Sequence, residues 1–183
     1  LYTEDGAIVF SGNYVIDPSM TGCFNSDIGK IAYVGKQGVL AFLNESVYAA
    51  KKGFTSPSHR ARDIIRETIN KHEDRILFNI MQAQIFRIQE ILDEVMKSDR
   101  NIVIMGKKLE EIVMESIDMG YIRFDKNRIK SIKNVDEKGI IVLVSNEREM
   151  PYSNIKRILR GTDKFITLNE SDTVVFASPV YDN

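Results

Sequence analysis

The chain has 183 residues, 43% hydrophobic and 28% charged, with 25 Lys and Arg against 26 Asp and Glu for a net charge of −1. That composition is one of a soluble globular protein with a real core, and it lacks the strongly basic balance that would by itself point to a nucleic-acid binder. Its apolar runs, such as residues 139–144, are far shorter than the ~20 residues of a membrane span, and the single Cys23 excludes an internal disulfide and fits a reducing cytosol.

Taken in chain order, residues 7–10 and 14–16 read as short strands separated by the turn cluster Ser11-Gly12-Asn13. Residues 27–33 form a short helix ending before Gly35, and 38–43 a compact apolar strand. Lys51-Lys52-Gly53 reads as a domain boundary. From there strands and helices alternate. Ser56 or Ser58 can cap a helix through Ile69, with Ala61, Ile64, Ile65 and Ile69 on its buried face. Residues 76–81 make a strand; Ile85, Ile88, Leu92 and Val95 are the stripe of a helix stopping near Asp99. Residues 102–105 are a strand ended by Gly106, and Leu109, Ile112, Val113 and Ile117 mark a helix closed by Gly120. A strand at 140–144, a helix at 153–159 and a strand at 173–177 follow. Continuous apolar strands alternating with helices specify α/β architecture, a mostly parallel sheet covered on both faces.

Few residues point to chemistry. His59 and His72 are the two histidines, thirteen residues apart, near a helix start and a helix end. A two-metal hydrolase needs several histidines and a carboxylate shared between cations about 3.5–4 Å apart, so the ordinary reading is surface histidines. Met105-Gly106-Lys107-Lys108 follows a strand and opens a helix, so its N–H groups and lysines could meet a phosphate; a structural turn is the ordinary alternative. Ser46, Ser58 and Ser145 lack a neighbouring histidine base in the sequence, which gives nucleophilic catalysis no support. Basic clusters at 107–108, 126–133 and 156–160 are ordinary as solvated surface.

The segment from Arg75 to Gln89, R-I-L-F-N-I-M-Q-A-Q-I-F-R-I-Q, resembles the ribonuclease J segment R-I-I-I-A-T-F-A-S-N-I-H-R-I-Q. The likeness continues at residues 101–109, at Gly120-Tyr121, at Arg160-Gly161-Thr162-Asp163-Lys164 (family G-T-H-R) and at residues 172–179 (family G-D-T-V-V-I-S-A-S-P). The chain is thus similar to ribonuclease J proteins of the metallo-β-lactamase/β-CASP class along nearly its whole length. The resemblance implies a Rossmann-like β-CASP domain flanked by partial metallo-β-lactamase elements. Residues 1–52 would end the first metallo-β-lactamase half, 53–145 would be the β-CASP domain, and 146–183 would return into the metallo-β-lactamase core. Leu1 has no methionine before it and the chain stops just past 173–177, so an internal piece of a longer protein is expected, with no signal peptide.

The departures from the family are informative. Asn13 stands where the family's T-G-D-F-K-F-D carries the aspartate shared by two metals, and a neutral amide bridges two cations poorly. The family's 5′-phosphate pocket is altered as well. Ala83 replaces a serine, Gln84 an asparagine and Phe86 a histidine; the loop matching G-S-Q-G-E-P carries Glu147 and Arg148; Asp163 takes the place of the G-T-H-R histidine. Added carboxylates would oppose a phosphate by on the order of 1–4 kcal/mol per close pair. The pattern most resembles the second, degenerate ribonuclease J paralogue of Gram-positive bacteria. It implies a cytoplasmic RNA-processing subunit, non-catalytic or weakly active, that forms hetero-oligomers with an active ribonuclease J, with RNA rather than DNA or a membrane as partner. Two zinc or manganese ions are expected only in active members, none in this chain. Arg87, Lys107, Lys108 and Arg148 are the expected RNA-backbone contacts. The alternatives are an active metal-dependent 5′–3′ exo- and endoribonuclease whose remaining ligands lie outside this sequence, and a free-standing nucleotide-binding α/β module.

Overall fold

The structure, a computed structural model, describes residues 1–12, 14, 16, 20, 22–46, 49–50, 52, 59–146 and 152–178, without the side chains of residues 59, 60 and 146. The chain divides into two compact units, residues 1–60 and 61–183.

The first unit is a three-stranded sheet in the order β1 (Tyr2–Thr3), β2 (Gly6–Gly12), β3 (Val39–Asn44), with β1–β2 antiparallel and β2–β3 parallel. Ser11 and Gly12, expected to open a turn at 11–13, belong to β2 instead. Gly12 still pairs with Asn44, and the Ser11 hydroxyl hydrogen-bonds across to β3, so β2 reaches Gly12 past a register shift between Phe10 and Gly12. Tyr14 and Ile16 are not in a strand, and Asn13 and Val15 lie outside the described residues. Helix α1 (Ile28–Lys36) begins where the Asp27 carboxylate accepts the Lys30 N–H at 2.8 Å. It passes through Gly35, because the left-handed turn that ends it falls at Gly38, φ 86°. Phe10, Leu40 and Phe42 are exposed, and α1 buries no residue.

The second unit carries the core. Its sheet has the order β6 (Ile129–Lys130), β5 (Ile102–Met105), β7 (Ile141–Asn146), β4 (Ile76–Met81), β8 (Thr173–Phe176), and every pairing is parallel. Alternate residues divide the core into two layers. Ile76, Phe78, Ile80, Ile102, Ile104, Ile141 and Leu143 pack beneath α2 (His59–Lys71), α3 (Ile85–Met96) and α4 (Lys107–Asp118). Leu77, Val103, Met105, Val142 and Val144 pack beneath α5 (Ser153–Leu159). Burial on both faces is why these strands read as unbroken apolar runs rather than alternating ones.

One expectation shifts. Ile64 is exposed, because α2 packs along the narrow i, i+4 line Ala61–Ile65–Ile69 and Ile64 lies about 100° around the helix from Ile65. Ser56 and Ser58, the expected caps, lie outside the described residues. Helix α5 and strand β8 belong to the same compact unit as β4, β5 and β7. Strand β8 is drawn in by four parallel register pairs with β4 and by an ion pair at its start.

That ion pair belongs to Arg75, whose buried guanidinium donates to both Asp172 oxygens at 3.0 and 2.5 Å, to Asp136 at 2.7 Å, and to the carbonyls of Val135 and Thr167. Nearby, Arg100 donates to the carbonyls of Ile69, His72, Asp74 and Gly139, tying the end of α2 to the start of β7. Burial pushes the Arg100 guanidinium below its ordinary pKa, with Asp74 opposing. On α3, burial works against the Glu94 charge, but hydrogen bonds from Lys97 and Arg66 and their positive charges outweigh it, so this carboxyl titrates below its usual range.

Two measurements check this framework. Replacing Asp172 with Ala strands a buried guanidinium and lowers unfolding free energy by about 3–5 kcal/mol in denaturant titrations, whereas the double variant Arg75→Met, Asp172→Leu loses clearly less. Because the folded Glu94 pKa lies below the unfolded one, its contribution is fully present above the ordinary carboxyl range and drains away as pH falls through the depressed folded value. Unfolding midpoints followed from pH 6 down to pH 3 therefore fall less steeply in Glu94→Gln than in the parent, from a lower starting stability.

Candidate functional site

In open parallel sheets ligands gather at the carboxyl ends of the strands, and there the described turns after β4 and β5 carry Gln82, Gln84, Lys107 and Lys108. The β4–α3 turn holds Gln82, the exposed Ala83, and Gln84, which occupies the N-cap of α3 without a side-chain capping bond. The side-chain carbonyl oxygens of Gln82 and Gln84 are buried and have no hydrogen-bond partner among the described residues. Phe86 is half-buried. After β5, Gly106 adopts φ 123°, and a Cβ there would stand 2.8 Å from the Ser145 Cβ, so the close approach of the β5 and β7 ends requires glycine.

The structure separates the expected RNA contacts. Lys107, 91% exposed and only 3.8 Å from Glu111, projects into solvent, and Lys108 is exposed beside it. Arg87 instead pairs with the buried Glu90 one helical turn along α3. Asp163, expected to face an anion, turns inward. Its carboxylate is 1% exposed and accepts from Arg157 at 3.1 Å and from the N–H groups of Phe165 at 2.9 Å and Ile166 at 3.2 Å, so it organises a turn. Asn13, Glu147 and Arg148 lie outside the described residues. His72 sits just past the end of α2 as expected, and no cluster of His, Cys, Asp and Glu among the described residues is arranged to hold a metal ion. No helix is long and apolar enough to cross a membrane among them.

Sequence reasoning passed over Asn79. It is fully buried in the middle of β4, level with Val144 of β7 and Phe176 of β8; its Oδ1 accepts from the Ser178 hydroxyl at 3.2 Å, and its Nδ2 has no partner among the described residues. The signal was a lone polar residue inside Ile-Leu-Phe-Asn-Ile-Met. Also missed was a cleft of about 280 Å³ at the end of β5, lined by Met105, Lys107, Glu110, Asn154, Arg157 and Phe165 among others.

An open parallel sheet with helices on both faces and polar turns after β4 and β5 defines an α/β domain of the ligand-at-the-strand-ends class. The family model for the ribonuclease J beta-CASP domain matches residues 73–182, from just before β4 to beyond β8, and the chain belongs to that family. Among curated proteins it is 26% identical over 181 residues to Ribonuclease J 1 of Streptococcus pyogenes serotype M3, covering 97% of this chain and 32% of that protein. It is 26% identical over 179 residues to Ribonuclease J2 of Bacillus subtilis strain 168, covering 96% of this chain and 32% of the relative. With Ribonuclease J 2 of Staphylococcus aureus strain NCTC 8325 it shares 25% identity over 180 residues, 97% of this chain and 32% of that protein. The chain thus spans about a third of the length of these relatives.

Asn79 gives a direct test of the edge. A buried amide N–H₂ without a partner destabilises the resting fold, so Asn79→Leu leaves the denaturant midpoint unchanged or raises stability by up to about 1–2 kcal/mol. A loss exceeding that would mean the amide is fully satisfied and structural.

Proposed function

We propose that the chain serves RNA processing and decay in the cytoplasm as part of a ribonuclease J-type protein, and that this protein is a non-catalytic or weakly active subunit associating with an active ribonuclease J. The observation that carries this reading is the β4–α3 turn. A pocket for a terminal phosphate needs hydroxyls, imidazoles or backbone N–H nests aimed at the anion. This turn presents the methyl of Ala83, the half-buried ring of Phe86 and a Gln84 whose side-chain oxygen is buried, while Arg87 is drawn to Glu90. Asn13 supports the same conclusion from the metal side, since a carboxamide offers two cations no shared negative oxygen.

The named relatives include both a Ribonuclease J 1 and Ribonuclease J2 proteins at nearly the same identity. Overall likeness therefore does not choose between an active and a degenerate role, and it is the chemistry at these positions that supports the second reading. Lys107 and Lys108 are the exposed cations suited to the RNA backbone. No step through a metal is assigned to this chain; two zinc or manganese ions are expected only in active members of the family.

The full-length protein decides the matter. Metal analysis after exhaustive dialysis is expected to find fewer than two tightly held ions per chain, with weak RNA cleavage that rises when an active paralogue is added. Two retained ions together with robust cleavage abolished by chelator would establish the active-enzyme reading instead.

A further inference from the structure

Resting on the RNA-processing reading, we propose that the cleft between the end of β5 and α5 is a nucleotide subsite, taking one base and its adjoining phosphate from single-stranded RNA. This site is separate from the altered turn after β4. Its volume, about 280 Å³, lies near the lower end of the range for small-molecule pockets, roughly 300–1,000 Å³, which suits one nucleotide.

Three kinds of side chain line it, and each matches a part of a nucleotide. Phe165 is 46% exposed, with its backbone fixed by the Asp163 carboxylate and the Lys164 ammonium 4.8 Å from its ring centroid. An ordered, half-exposed aromatic ring beside cations is the platform on which unpaired bases stack. Asn154 donates its Nδ2 to the Ser145 carbonyl at 3.0 Å, which fixes the amide and leaves its Oδ1 available to accept from a base edge. Arg157 uses Nη2 on Asp163, while its Nε and Nη1 have no protein partner among the described residues and its side chain is more than half exposed. With Lys107 across the cleft, it can receive a phosphate.

The charges do not all agree. Glu110 is an exposed acid on the wall, and Asp163 offsets part of the Arg157 charge. Lys156, Arg160 and Lys164, all exposed on α5 and the turn beyond it, tilt the surroundings towards the cation side. Aromatic, amide and cation together favour a nucleotide over an acidic peptide, which would use the charges and leave the ring idle.

The test uses this chain and fluorescently labelled five-nucleotide oligouridylate and oligoadenylate with 5′-hydroxyl ends, followed by anisotropy. Phe165→Ala is expected to weaken binding by roughly tenfold, the scale of one lost stacking contact. Arg157→Gln should weaken it and make the slope of log affinity against log salt shallower by about 0.7, one fewer phosphate contact on a single strand. Lys36→Gln on α1 serves as a control and binds as the parent does. Thermal melts of all variants confirm folding, and amide shifts in a titration with adenosine monophosphate should centre on residues 154, 157 and 165. Parent-like binding by both cleft variants would overturn the subsite while leaving RNA binding intact. So would displacement by polyglutamate that is indifferent to Phe165→Ala, or binding of the mononucleotide without the oligomer. No RNA binding by the chain at millimolar concentration would also overturn it, and the metal and cleavage measurements on the longer protein would still decide the proposed function.

Discussion

The Arg75 guanidinium is the constraint on which the larger unit depends. Strand β8 is ninety-seven residues away in sequence from the residue before β4 that it must meet, as measured between Arg75 and Asp172. Closing so long a connection carries an entropic cost that local propensity cannot offset. A two-toothed contact to Asp172, with further bonds to Asp136 and to the carbonyls of Val135 and Thr167, gathers the approaches to β4, β7 and β8 at one point. A buried charge is tolerated there because nearly every donor is occupied. Arg100 and Arg128 repeat the device next door: Arg100 bonds the end of α2 and the approach to β7, and Arg128 bonds the carbonyls of Val95, Ser98 and Arg100.

Much of this was legible from the residues. The strands at 76–81 and 102–105 and the helix at 153–159 fall where the apolar runs and stripes put them. A doubly covered parallel strand must be apolar throughout, and few other arrangements produce that pattern. The two-residue strands β1 and β6 were not legible, because so short a segment has no period; they exist by pairing with neighbours. The reach of β2 through Gly12 was hidden for a related reason. Ser-Gly-Asn reads locally as a turn, but Gly12 pairs with Asn44 of β3 even with a left-handed φ of 60°.

The candidate site was less legible than the fold. Motif comparison located the β4–α3 turn and the Lys107-Lys108 pair, yet it said nothing of what each side chain touches. Asp163 looks like a charge in a pocket until its bonds to Arg157 and two backbone N–H groups are seen, and Arg87 looks like a free cation until Glu90 is placed beneath it. Ion pairing three residues along a helix or six along a loop depends on rotamers that sequence alone does not set. The exposed apolar residues Phe10, Leu40 and Phe42 of the smaller sheet likewise carry no label in the sequence to distinguish them from core.

The arginine clamp sits at the amino ends of the parallel strands and the β4–α3 turn at their carboxyl ends, a separation of about 20 Å for a six-residue strand. Mechanical integrity and ligand chemistry therefore occupy opposite poles of the sheet. Substitution at Ala83, Gln84 or Phe86 leaves the clamp untouched, so the side chains at one pole can change without first loosening the architecture held at the other.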